Sequence, residues 1–446
     1  MLSDPIAALA TPPGRSAIAL VRVSGSGALT VAGQVVQGEG LDGLPPRVAH
    51  LATFVSADGT PIDQGLVTTF RAPHSYTGED LVELSCHGGL LAPAQVLAAL
   101  HAAGARPAAP GEFTRRAVLN GKLDLLQAEA VGDLIDATAP AQGRAALHQL
   151  DGALSRRLQA LREELLEVLA LLSYDIDFPE EDDGPVPRGR LLEVLERSRE
   201  AVGRLLATAP AGLRLHDGAL VVLAGAPNAG KSSLFNALLG TSRALVTEIP
   251  GTTRDTIEAS SEVLGWPVKF ADTAGLRDAD ERLERMGIEV SRRYVAAADL
   301  VLLCVEAGAG VSPAERALLS AYPSLLVRSK ADLAAEAEGG GIRVSAVTGQ
   351  GLDRLREAIA TRLFGDRVSA SYADIEPMLS RERHRAALSQ AAASLDQART
   401  QLGTGGDPVL AAHHLRGGVT ALEELIGLVH PDEVLGRVFA RFCVGK

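Results

Sequence analysis

Residues 225–232, with the sequence GAPNAGKS, have the composition and spacing of a loop that binds phosphate. Gly225 and Gly230 enclose four residues, and Lys231 and Ser232 follow at once. Glycines allow backbone N–H groups to turn inward around phosphate oxygens, and the N-terminus of a following helix adds the positive end of its dipole. In such a loop the lysine reaches the β and γ phosphates, and the serine hydroxyl binds Mg²⁺. The segment therefore predicts a site for a nucleoside triphosphate and Mg²⁺.

The segments on either side of this loop predict the elements that hold it. The run ALVVLA before Gly225 is typical of a buried parallel strand, and SSLFNALLG predicts a helix that ends at Gly240. An ordinary glycine-rich turn is the alternative, but the strand, the full spacing and the helix together disfavour it.

Further segments resemble, in their order, the motifs of translation-factor-related GTPases. GTTRD supplies Thr253 as a second hydroxyl for Mg²⁺, and FADTAG ends a strand at Asp272, which is placed to hold a water on the metal. Two later strands end in SKAD (329–332) and in SA (345–346). In that family Asp332 accepts hydrogen bonds from the guanine N1–H and 2-amino groups, which adenine lacks. Serine at position 329 replaces the usual asparagine.

Two departures from common GTPases indicate an ion in the site. Leu276 follows DTAG where many signalling GTPases have a water-orienting glutamine, and no arginine is assigned to the transition state. Asn228 and the segment VTEIPGTT resemble GTPases activated by potassium. In those proteins an Asn side chain, two backbone carbonyls and a Thr bind K⁺. By position these residues are Asn228, Thr247, Ile249 and Thr252. A turn role for Asn228 is the alternative.

Glu284 lies where one family of such GTPases has its catalytic glutamate, although an acid on a solvated helix face is an equal alternative. The predicted GTP-binding residues are Asn228, Ala229, Gly230, Lys231, Ser232, Ser233, Thr247, Glu248, Ile249, Pro250, Gly251, Thr252, Thr253, Asp272, Thr273, Ala274, Gly275, Ser329, Lys330, Ala331, Asp332, Ser345, Ala346 and Val347.

Length and composition limit the classes of protein that need to be considered. A chain of 446 residues predicts two to four domains. Its apolar runs are too short to span a membrane and it has no signal-peptide pattern, so we expect a cytoplasmic protein without membrane contact. Three separated cysteines exclude a disulfide framework or a CxxC metal site. The net charge of −12 disfavours nucleic-acid binding over the whole surface.

The fold class predicted from these patterns is multidomain α+β and α/β. Residues 1–119 are β-rich and predict an α+β domain. Residues 120–214 and 369–446 predict the two parts of one helical domain, with leucines from Leu150 to Leu172 on one long helix and a second helix from about Arg190 to Leu206. Residues 215–368 predict a Ras-like α/β GTPase domain, with a mostly parallel sheet, inserted between them.

Motifs along the whole chain resemble one family. They are IAALATPPGRSAIALVRVSG, YTGEDLVELSCHGG, RPAAPGEFTRRAVLNGKLDLLQAEAVGDLIDA, the loop PNAGKSSLFNAL and the terminal CVGK. Together they closely resemble the MnmE family of tRNA uridine-modifying GTPases. The block 106–137 is the most specific, because other GTPases have nothing that corresponds to it.

The resemblance implies chemistry beyond GTP hydrolysis. This family binds a 5,10-methylene- or 5-formyl-tetrahydrofolate in the N-terminal domain and works with an FAD- and NADH-using partner. Together they place a carboxymethylaminomethyl or aminomethyl group on carbon 5 of the wobble uridine of certain tRNAs. Arg22, Glu83, Lys122 and Lys446 are similar to the family's folate contacts, with surface ion pairs as the alternative for the first two. Cys443 gains a role in the modification reaction, although a lone terminal cysteine is more often incidental.

The resemblance also implies partners. We expect a homodimer joined by its N-terminal domains, in which GTP and K⁺ draw the GTPase domains together, and a heterotetramer with the FAD-dependent partner. The basic cluster RERHR (381–385) is a weak candidate for tRNA contact. Two other functions stay open: a regulatory GTPase switch of the ribosome-assembly type without modification chemistry, and an ATPase, for which Asp332 would not read guanine.

Overall fold

The computed structural model describes residues 4–38, 40–177, 187–240, 257–272, 292–334, 340–369, 378–428, 432–440 and 442–445. Contacts divide the chain into two compact units, residues 1–132 with 423–446 and residues 133–422. The predicted division into three domains, with the helical one in two parts (120–214 and 369–446), stays a prediction.

The strands and helices are named in chain order. The strands are β1 (Ile6–Leu9), β2 (Gly14–Ser24), β3 (His50–Val55), β4 (Pro61–Phe70), β5 (Leu81–Gly89), β6 (Arg106–Pro107), β7 (Ala219–Ala224), β8 (Ile257–Val263), β9 (Trp266–Asp272), β10 (Leu300–Glu306), β11 (Ser324–Ser329) and β12 (Ile342–Arg343). The helices are α1 (Ala28–Gly33), α2 (Leu91–Ala102), α3 (Glu112–Leu119), α4 (Leu125–Asp136), α5 (Pro140–Leu150), α6 (Ala153–Asp177), α7 (Arg188–Leu206), α8 (Ala209–Asp217), α9 (Lys231–Leu239), α10 (Pro313–Ala321), α11 (Leu352–Phe364), α12 (Glu382–Gly403), α13 (Pro408–Ile426) and α14 (Asp432–Phe439).

The first unit contains a six-stranded sheet in the order β3-β4-β5-β2-β1-β6. Its neighbouring strands are antiparallel except β1 and β6. Alternate residues of β2 and β5 are buried under α1 and α2, which gives the half-buried pattern of a sheet that has one covered face. The predicted N-terminal α+β arrangement is confirmed.

A buried ion network lies beside this sheet. Arg116 on α3 is 1% exposed, and its guanidinium donates to Asp4, Glu79 and Glu112. Burial raises the pKa of the Glu112 carboxyl, but bonds from Arg106, the Ala109 backbone and Arg116 outweigh it and hold that pKa below its usual value. The network ties α3 to the loop before β5.

The second unit contains a six-stranded sheet in the order β12-β11-β10-β7-β9-β8. It is parallel except for the hairpin of β8 and β9. Its inner strands are almost continuously apolar and buried, as expected for a parallel sheet covered on both faces. Trp266 stacks on Phe364 with 4.5 Å between ring centroids, so that α11 closes the core. The predicted α/β domain with a mostly parallel sheet is confirmed.

The helical part of the second unit is built from two separate stretches of chain. Helix α7 precedes the parallel sheet in sequence, α12 follows it, and the two helices pack together with Leu195 and Leu395 fully buried. A GTPase domain inserted into a helical domain is therefore confirmed.

The long leucine-rich helix begins later than the sequence predicted. Leu154 to Leu172 are buried along one face of α6, but Leu150 belongs to α5. Gly152, at φ 77°, lies between the two helices in the left-handed region, where an α-helix cannot continue. Across the described ranges, no helix combines the length and the apolar character that crossing a bilayer requires.

Candidate nucleotide-binding site

The phosphate loop connects β7 to α9. Gly225 leaves the strand at φ 140°, and a Cβ there would lie 2.2 Å from the carbonyl oxygen of Cys304. Asn228 and Gly230 have φ values of 61° and 82°, and Gly230 caps the N-terminus of α9. Glycine, or the tolerant asparagine, is required at these points because other side chains strain the left-handed region. The sequence pattern therefore corresponds to the backbone geometry that a phosphate cradle needs.

Lys231 is held against the loop that it follows. Its Nζ donates to the carbonyl oxygens of Gly225 at 3.0 Å and Ala226 at 2.8 Å, and the residue is 6% exposed. The ammonium group is thereby placed over the loop. Ser232 and Ser233, in the first turn of α9, are exposed.

Five parallel strands of the described sheet bring their carboxyl ends to the same edge. Asp272 ends β9 and is 3% exposed, and in the sheet register it pairs with Leu223 of β7. Glu306 of β10 pairs with Ser329 of β11. Ligands of doubly wound sheets bind at this edge. Asp272 and Ser232 supply the carboxylate and hydroxyl oxygens that suit Mg²⁺.

Ser329 joins the segment expected to bind the base to the phosphate loop. Its hydroxyl donates to the carbonyl oxygen of Ala229 at 2.7 Å, and the residue is 5% exposed. Lys330 has φ 54° and its ammonium lies 3.2 Å from the Glu306 carboxylate. Asp332, two residues further on, is exposed.

The last predicted nucleotide segment lies beside SKAD. The Ala331 N–H donates to the carbonyl oxygen of Val344 at 3.1 Å. Ser345 is fully buried and its hydroxyl accepts the Thr348 N–H at 3.2 Å. Ala346 is half-buried and Val347 is exposed.

Cys304 lies under the loop and was not predicted as part of the site. Burial raises the pKa of its thiol to about 12, with the Lys231 ammonium acting in the opposite direction. The thiol therefore stays protonated and packs as a small apolar group.

A second polar group of residues lies in the first unit, where the resemblance implies folate. Arg22 of β2 donates its Nε to Glu83 of β5 at 2.8 Å, and the Arg22 guanidinium lies 5.9 Å from the centroid of the Tyr76 ring. Lys122 donates to the carbonyl oxygen of Pro73 at 3.0 Å, in the loop that contains Tyr76. The structure thus joins Arg22 to Glu83 and places Lys122 against the same loop.

Tyr76 is a residue of this region that sequence reasoning missed. Its hydroxyl lies 2.8 Å from the Thr114 hydroxyl, and burial raises the pKa of the tyrosine. The motif YTGEDLVELSCHGG contained the signal, because Tyr76 opens it, but the ring position depends on α3.

The C-terminal segment packs within the first unit. The Gly111 N–H donates to the carbonyl oxygen of Cys443 at 3.3 Å. Gly445, at φ 97°, lies so close to β1 that a Cβ would be 2.4 Å from the carbonyl oxygen of Leu9. Cys443 is exposed.

The remaining predicted site residues lie outside the described residues. They are Thr247, Glu248, Ile249, Pro250, Gly251, Thr252, Thr253, Thr273, Ala274, Gly275, Glu284 and Lys446.

The chain is a P-loop GTPase. Its parallel sheet carries, at one edge, a glycine-rich loop with a buried lysine and an SKAD turn. The sequence profile described as the MnmE helical domain matches residues 125–443, and that of the N-terminus of the GTP-binding protein TrmE matches residues 5–122. The chain therefore belongs to the MnmE family of tRNA modification GTPases, and it is a GTP-hydrolysing enzyme of that family.

Individual relatives agree along their full length. The tRNA modification GTPase MnmE of Salinibacter ruber is 41% identical, over 100% of this chain and 99% of the relative. The tRNA modification GTPase MnmE of Neisseria meningitidis is 44% identical, over 99% of this chain and 98% of the relative. The crystal structure of the G domain of the T. maritima FeoB iron transporter is 28% identical, over 32% of this chain and 98% of that one, with a TM-score of 0.25, which is too low to support an argument.

The phosphate loop makes a direct prediction for Gly225→Ala. The added Cβ meets the Cys304 carbonyl and strains φ, so we expect GTP affinity to fall by about 100-fold or more. Fluorescence titration with a labelled GTP analogue measures it. Gly308→Ala is the matched control, since its Cβ meets nothing within 4 Å. Binding of the Gly225 variant equal to that of the control would contradict the assigned geometry.

Proposed function

We propose that this protein hydrolyses GTP in order to modify the wobble uridine of certain tRNAs. With an FAD-dependent partner, it adds a carboxymethylaminomethyl or aminomethyl group to carbon 5, using a one-carbon tetrahydrofolate. The observation that carries the GTPase part is the preformed loop in which Lys231 lies over Gly225 beside the SKAD turn. The tRNA part rests on family membership, because the relatives are named as tRNA modification GTPases. A cytoplasmic location follows from that substrate.

In the proposed hydrolysis, water attacks the γ-phosphorus and the bond to the β-phosphate oxygen breaks, which leaves GDP and phosphate. Lys231 holds the β and γ oxygens, and loop N–H groups bind the phosphates that become GDP. Ser232, Thr253 and Asp272 are the residues suited to Mg²⁺, directly or through water. The Glu284 carboxylate orients the attacking water, since Leu276 has no group that can do so.

A potassium ion is proposed to bind beside the phosphates of GTP. Asn228 would hold it together with Thr247, Ile249 and Thr252, and the ion would supply positive charge for the transition state. The Asn228 side chain is exposed and makes no hydrogen bond to any other described residue, so its oxygen is available to a ligand. Its φ of 61° also suits a turn, and both roles use the same conformation.

A homodimer is proposed because the first unit exposes apolar side chains on its sheet. Leu51 and Leu66 are paired across β3 and β4 and are 71% and 44% exposed. Ile18 on β2 is 62% exposed. Exposed apolar groups of this kind mark interaction surfaces. GTP and K⁺ would then bring the two GTPase domains together, and the FAD-dependent partner would complete a heterotetramer.

The folate site is proposed at Arg22, Glu83 and Lys122, with Lys446. A carboxylate at position 83 accepts paired N–H bonds from a 2-amino-4-oxopyrimidine ring. Arg22 holds Glu83 through Nε alone, and its two terminal nitrogens make no hydrogen bond within the described part of the chain. Those nitrogens and the lysines suit the carboxylates or the polarised carbonyl of a folate. Cys443, exposed at the C-terminal segment, is proposed to take part in the modification step.

Potassium dependence is the first test of this proposal. Turnover of GTP in KCl should exceed turnover in NaCl of equal ionic strength by about tenfold or more, because K⁺ takes the part of a transition-state arginine. Asn228→Ala should lose this difference, whereas Asn236→Ala, on the exposed side of α9, should keep it. Equal rates of the unaltered protein in the two salts would rule out the potassium mechanism.

Folate binding is the second test. Calorimetry on the full chain should detect binding of 5-formyl-tetrahydrofolate. Glu83→Gln should weaken this binding by about tenfold or more, since an amide accepts the hydrogen bond from Arg22 but has no negative charge. Glu193→Gln, at an exposed position of α7, is the control. A chain that binds GTP but no folate would instead be a GTPase switch.

A further inference from the structure

The carboxylate of Asp332 is the group expected to bind the base. Asp332 is exposed and makes no hydrogen bond to another described residue. Its backbone forms a turn in which the Leu333 N–H donates to the carbonyl oxygen of Lys330 at 3.0 Å. Lys330 opens the turn in the left-handed region, at φ 54°. The direction of the carboxylate therefore depends on how firmly this turn is held.

Arg343, at the end of β12, holds the turn on both sides of Asp332. Its Nη2 donates to the carbonyl oxygen of Ala331 at 3.3 Å and to that of Ala334 at 2.5 Å. The first of these carbonyls belongs to the peptide that leads into Asp332. The backbone of Arg343 is held in the sheet beside Arg328 of β11, and the adjacent Val344 N–H donates to the carbonyl oxygen of Arg328 at 2.8 Å.

Among the described residues, the neighbouring side chains are directed elsewhere. Ser329 directs its hydroxyl to Ala229, and the Lys330 ammonium lies against Glu306. Arg328 is in register with Arg343 across β11 and β12, but its Nη1 donates to Ala309 at 2.6 Å, outside the turn. A charged donor to two carbonyls contributes more than a neutral one.

We infer that Arg343 is a positioning residue that sets the selectivity for guanine by fixing the turn of Asp332. The guanidinium keeps both carboxylate oxygens directed at the two adjacent N–H groups of the base. One guanidinium nitrogen, Nη2, donates to both carbonyls, and the rigid plane of the guanidinium holds it between them, whereas a lysine ammonium lies at the end of a flexible stem. The inference rests on the proposed role of Asp332 in binding the base.

The test compares the dissociation constants of GDP and of IDP, whose base lacks the 2-amino group, on the full-length protein. The unaltered chain should prefer GDP by about tenfold or more. Arg343→Met should weaken the binding of GDP by about tenfold and that of IDP by less, so that the preference for GDP over IDP falls by at least about threefold. Arg343→Lys should show a preference for GDP between that of the unaltered chain and that of Arg343→Met. Arg328→Met is the matched control and should leave the ratio unchanged.

The ratio separates a positioning role from a structural one. If Arg343→Met weakens GDP and IDP by the same factor, the arginine only stabilises the domain and the inference is wrong. A fall in the ratio for Arg328→Met as large as that for Arg343→Met would overturn it as well. If the unaltered chain binds the two nucleotides equally, Asp332 does not bind the 2-amino group, and both the proposed base recognition and the role of Arg343 are wrong.

Discussion

One hydrogen bond links the two halves of the nucleotide site. The Ser329 hydroxyl, at the end of β11, donates to the carbonyl oxygen of Ala229 in the phosphate loop at 2.7 Å. A loop that turns its N–H groups inward toward phosphate turns carbonyls outward, and a buried carbonyl without a donor is costly. Because this donor comes from the segment that leads into Asp332, the proposed phosphate and base contacts depend on the same hydrogen bond. Serine thus performs a structural task at the position where related GTPases have asparagine.

The two units use polar groups in the same way, to fix a loop beside a sheet. In the second unit Lys231 and Arg343 donate to backbone carbonyls and thereby hold the phosphate loop and the SKAD turn. In the first unit Arg116 binds Glu79 and stabilises the segment that carries Tyr76. Breaking such a buried arginine network leaves uncompensated charge, which costs about 3–5 kcal/mol. These contacts hold each loop in one shape, and a loop held in this way loses less conformational entropy when it binds a ligand.

The sequence predicted those features that depend on neighbouring residues. Glycine spacing, a strand before it and a helix after it are local, and the structure shows the required φ values at Gly225 and Gly230. Contacts between distant segments were not predictable. Arg116 reaches Asp4, 112 residues away, and no periodicity indicates that pairing. The break at Gly152 was missed because the leucine pattern continues across it. The positions around Thr247 and Glu284 stay predictions, since they lie outside the described residues.

The central claim is that phosphate and base are gripped by one preformed arrangement joined through residue 329. Its most direct test is the GTP affinity of Ser329→Ala, measured by calorimetry beside Ser329→Thr, which keeps the hydroxyl. Loss of the hydroxyl leaves the buried Ala229 carbonyl without its donor, at about 1–3 kcal/mol. The account predicts a fall in affinity of about 5- to 100-fold for the alanine variant and a smaller one for threonine. An alanine variant that binds GTP as tightly as the unaltered protein would contradict it.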